Sequence, residues 1–74
     1  MSISEVAQLR ANIEQEIVAM RLGLNGLAAG TAKHAFIEAR MRCVGAYEKQ
    51  LATHVGEEQA NQFSCQMYIQ VIEG

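Results

Sequence analysis

Gly23, Asn25, Gly26 and Gly30 fall within one short stretch that separates two long runs of helical apolar periodicity. Glycine and asparagine accept the left-handed conformation that ends helices. The chain therefore turns here, and the flanking runs become the arms of a helical hairpin. Before the turn, Val6, Leu9, Ile13, Ile17, Met20, Leu24 and Leu27 recur at intervals of three and four, the spacing that lines up one face of an α-helix. After it, Ala32, Phe36, Ala39, Cys43, Tyr47 and Leu51 do the same, with Ile37, Met41 and Val44 on an adjoining wing. The chain has no proline and is rich in alanine, leucine, glutamate and glutamine, so its composition agrees with the periodicity.

The ends of these helices carry capping residues. Ser2-Ile3-Ser4-Glu5 fits a capping box through Ser2, with Ser4 as a second N-cap candidate. Thr31 is a natural N-cap for the second helix. The first helix is expected over about 3–24, the turn over about 25–30, and the second helix over about 31–55.

A hairpin folded about Leu27 and Ala28 sets Met20 beside Phe36, Ile17 beside Ala39, Ile13 beside Cys43 and Leu9 beside Tyr47. The same register sets Glu14 beside Arg42, Glu16 beside Arg40, Arg10 near Glu48 and Arg21 near Glu38. Exposed pairs contribute only ~0–1 kcal/mol each, so they report on register more than on stability. A parallel pair would need a connector running back the whole length of a helix, which favours the antiparallel hairpin.

Gly56 is a good helix terminator, and Glu57 and Glu58 after it suit a helix N-terminus. The stretch from Gly56 to Gln62 is nearly all polar and offers no evident core residue. A third helix is expected over about 57–72. Cys65, Ile69 and Ile72 nevertheless keep nearly the phase of the second helix, so one continuous helix from Thr31 to Ile72 stays open as an alternative. The third segment is apolar on two sides: Phe63, Met67 and Val71 form one row, and Cys65, Tyr68, Ile69 and Ile72 another.

The expected fold class is thus all-α: an antiparallel hairpin plus a shorter third helix in a single domain of 74 residues. So small a body buries a modest share of its surface. This one also carries more apolar surface than three helices can hide, because Ala11, Val18 and Leu22 lie well round the first helix from its main stripe. Contiguous exposed apolar surface marks an interface, and a two-fold homodimer is the commonest cover. The expectation is a dimeric helical bundle whose contacts come from Val18, Leu22, Ile37, Met41, Phe63, Met67 and Val71, with an unidentified protein as a further partner. A monomer whose wings serve only to seat the third helix is the competing reading.

No catalytic, cofactor or metal site is expected. His34 and Glu38 are four residues apart, but His34 and His54 are separated by roughly 30 Å along one helix at about 1.5 Å per residue and share no ion. Two cysteines, Cys43 and Cys65, fit no zinc spacing and lie on apolar stripes, so buried reduced thiols are expected. Ser64 has no base beside it, and the glycines match no phosphate loop. Lys33, Arg40, Arg42 and Lys49 form no basic stripe, and a net charge of −2 gives no pull toward nucleic acid or an anionic membrane. No apolar run approaches the ~20 residues of a membrane span, and no secretory signal opens the chain, which makes the cytoplasm the expected compartment.

The function expected from this reading is that of a small non-enzymatic, homo-oligomeric protein-interaction or adaptor module. A ligand- or metal-responsive regulator with His34 and Glu38 as its polar handles is the alternative. A helix-turn-helix-like nucleic-acid binder ranks below both.

Overall fold

The computed structural model describes residues 4–26 and 31–74. Ser2, the pivot at Leu27 and Ala28, and the side chains of Leu24, Thr31 and Ala32 lie outside what it describes. The fold is all-α, in the order α1 (Glu5–Gly26), α2 (Thr31–Val55), α3 (Glu57–Tyr68) and a π-helical continuation of α3 over Ile69–Glu73.

Ser4 is the cap of α1: its hydroxyl accepts from the Ala7 N–H at 3.1 Å and its carbonyl from the Gln8 N–H at 3.2 Å. At the other end α1 runs through Gly23 to Gly26. The reason Gly23 is a glycine is the Phe36 ring, which occupies the space a Cβ there would fill. Next to it, Arg40 lies 5.7 Å from the Phe36 ring centroid and donates through Nη1 to Glu16 Oε1 at 2.7 Å. Toward the far end of the hairpin His54 Nε2 stands 3.2 Å from Glu5 Oε1. As numbers rise along α1 the partners on α2 fall, so the two helices are antiparallel.

Gly56 alone separates α2 from α3. Its N–H donates to the Ala52 carbonyl at 2.9 Å, closing the last turn of α2, and its own carbonyl accepts from Ala60 at 3.1 Å, opening α3. It does both from φ 94°, ψ 155°, a backbone region essentially confined to glycine. The chain reverses within that one residue, and α3 returns along α2 parallel to α1.

The core is made by Leu9, Ile13, Ile17 and Met20 from α1, Val44 and Leu51 from α2, and Ala60 from α3, with Ser64 buried among them. Full burial of an Ile or Leu contributes about 1.5–3 kcal/mol. The four α1 residues are the stripe read from the periodicity.

The α2 face is rotated from its expected position. Val44, assigned to the wing, is buried, whereas Cys43, assigned to the main face, is half-buried. The cause is that α2 packs on α1 with one side and on α3 with the other, so the centre of its covered arc falls between the two contacts. Ala60 corrects the expectation that the first turns of α3 hold no core residue: it is fully buried. A methyl group there lets α3 lie close to α2.

Candidate functional site

Among the described residues, four large apolar side chains stand exposed: Val18 at 38 %, Leu22 at 65 %, Met41 at 46 % and Ile69 at 54 %. Val18 and Leu22 are one helical turn apart on α1, on the side opposite the stripe that enters the core. Met41 and Ile69 belong to a different surface, the mouth of a groove between α2 and α3.

Of the residues expected at an interface, then, Val18, Leu22 and Met41 are exposed, and Ile37 is half-buried. Phe63, Met67 and Val71 are half-buried and pack against the core of the hairpin. Arg10 adds its guanidinium over the Phe63 ring at 5.4 Å, which takes it away from the expected partner Glu48. Ile69, read from the sequence only as part of the second row, is the one large apolar side chain of this segment that stands exposed.

The groove has a volume of roughly 380 Å³ and lies over Ile17 and Val44, between Met41 on α2 and Tyr68 and Ile69 at the end of α3. Ser64 and Cys65 line it too. The Ser64 hydroxyl is buried with no hydrogen-bond partner. Cys65 is exposed rather than buried, its thiol 3.7 Å from Asn61 Oδ1. The expectation of two buried thiols therefore fails at Cys65, because α3 turns its Ala60 and Ser64 side to α2 and leaves the next residue outside. Both cysteines are free.

Toward Gly56 the same α2–α3 seam opens into a second, polar cleft of about 800 Å³ bordered by Gly45, Lys49, Glu57 and Glu58. Glu48 and Asn61 line both cavities. Asn61 Nδ2 donates to Glu48 Oε2 at 3.3 Å across the seam, marking where the apolar half meets the acidic half. Gly45 sits in the middle of α2 with nothing within 4 Å of where a Cβ would project, so no neighbour in this chain requires a glycine there. That residue was the overlooked signal in the sequence: a glycine inside a helical pattern with no turn chemistry around it.

The chemical inventory elsewhere is sparse. His34 and Glu38 face each other at 4.0 Å on the exposed surface of α2. No group of three or more His, Cys, Asp or Glu arranged to hold a metal ion occurs among the described residues. Of the cations considered for nucleic acid, Arg40 is engaged by Glu16 and Phe36, and Lys49 borders the acidic cleft. No helix among the described residues is long and apolar enough to cross a membrane. Comparison with family models, curated proteins and solved structures returned no match.

Proposed function

We propose that this chain is a small non-enzymatic helical module for protein recognition, and that it works as a homodimer built on the outer face of α1. The observation that carries the reading is the exposure of Leu22 and Val18, 65 % and 38 %, one turn apart on the side of α1 away from its buried stripe. Large apolar side chains grouped on one helix face are the usual mark of a protein contact, and a second copy is the commonest occupant.

Charge supports the same pairing. Glu14 and Arg21 border this face, two turns apart, and neither makes an ion pair within the chain among the described residues. Two α1 helices crossing antiparallel about a two-fold axis near Val18 bring Glu14 of each copy to Arg21 of the other.

Sedimentation velocity at micromolar concentration tests this. The protein is expected to sediment as a dimer, and V18E/L22E as a monomer with unchanged helix content by circular dichroism. A monomeric parent protein, or a double variant that stays dimeric, overturns the reading.

A further inference from the structure

We infer that the α2–α3 seam is a docking groove for a basic amphipathic helix of a partner protein. The inference rests on the reading of this chain as a protein-recognition module, and adds to it the surface and the chemistry of the partner. The seam carries two adjoining cavities of unlike lining, which meet at the Asn61–Glu48 hydrogen bond. Met41, Val44, Tyr68 and Ile69 make one half apolar, while Glu48, Glu57 and Glu58 make the other acidic, with Lys49 the single cation among its lining residues. A helix that presents apolar anchors over its first turns and lysine or arginine over the next ones complements both halves at once, the helix-in-groove mode of recognition.

The dimensions agree with such an occupant. From Met41 to Thr53 the seam follows α2 for roughly 18 Å at about 1.5 Å per residue, enough for three turns of a second helix. Gly45 lies about a third of the way along that length and lines the acidic half. Glycine inside a helix destabilises it relative to alanine, and here, beyond the local backbone of α2 itself, no atom of the described residues comes within 4 Å of where a side chain would begin. A helix laid along the seam supplies what the folded chain lacks: a neighbour whose backbone approaches closest where α2 has no side chain. One occupant thus accommodates both the charge of the acidic half and the open surface at Gly45.

The test uses two synthetic peptides of about four helical turns. Both carry leucines at helical spacing along one half; in the other half one carries lysines and the other carries glutamates. Fluorescence anisotropy of the labelled peptides is read against the whole protein. The lysine peptide is expected to bind and the glutamate peptide to bind at least tenfold more weakly. E57K/E58K should reverse that preference. G45L, which fills the seam with a better helix former, should raise the melting temperature yet weaken the lysine peptide at least tenfold.

No binding of the lysine peptide up to about 1 mM, equal binding of both peptides, or full binding by a folded G45L protein overturns the inference. So does loss of binding on dimerisation, because the seam is then the contact between two copies. Running the titration on V18E/L22E as well separates the two proposals: a monomeric variant that binds the peptide supports the docking groove irrespective of the oligomeric state of the parent.

Discussion

The ring of Phe36 lies against the backbone of α1 at Gly23, in the volume where any other residue would place its Cβ. A glycine in a helical interior normally costs about 0.5–1 kcal/mol relative to alanine. Here the close approach of α2 reverses that preference. G23A is expected to destabilise the protein by about 1–3 kcal/mol through overpacking, despite its better helix propensity. In an F36A background the same substitution should become neutral or stabilising. Urea unfolding of the four proteins of this cycle measures the coupling, and additive effects would show that the ring and the glycine do not meet.

Glu16 and Arg40 form the best-shielded ion pair among the described residues, with side chains 18 % and 31 % exposed and 2.7 Å between the paired atoms. E16Q keeps the size and removes the charge, and is expected to lose about 1 kcal/mol, the difference between a charge-assisted and a neutral hydrogen bond. The loss should shrink in 1 M salt, where the Debye length falls to about 3 Å. Urea midpoints at low and high salt provide the comparison.

At Gly56 an added Cβ meets nothing within 4 Å, so the penalty of a substitution is conformational alone. G56A is expected to cost about 1–3 kcal/mol. Asparagine, which relieves positions in the left-handed helical well, should give no relief, because ψ 155° lies outside that well. A synthetic chain with D-alanine at this position should recover most of the loss. Thermal unfolding of the three forms is the measurement.

The Ser64 hydroxyl is buried without a partner. S64A removes an unsatisfied polar atom and keeps the Cβ that packs against α2, so a gain of up to about 1 kcal/mol is expected. A60L, one turn earlier, should do the opposite and lose about 1–3 kcal/mol by forcing α3 away from α2. A destabilised S64A would mean that the hydroxyl has a partner after all.

The apolar stripe of α1 was legible in the sequence because one face of one helix is all that a three- and four-residue spacing has to specify. The pair of Glu16 with Arg40 was legible for a related reason: a short turn between two stripes leaves few registers. What periodicity does not carry is how many neighbours share a face. Val44 looked like a wing residue because the arc of α2 was centred on α1 alone, and α3 moves that centre. Ala60 was invisible beside its polar neighbours, since a methyl group adds little to an apolar count but decides how near two helices come. The same blindness hid the seam, whose clearest marker, Gly45, is a residue without a side chain.

The single-residue link at Gly56 has a kinetic corollary. With α3 joined to α2 through one glycine, that pair of helices forms by closing a very short loop, which carries little entropic cost. Helical proteins dominated by such local contacts fold within microseconds to milliseconds. The glycine that fixes the reversal thus also makes the α2–α3 contact a local one, available to form early in folding.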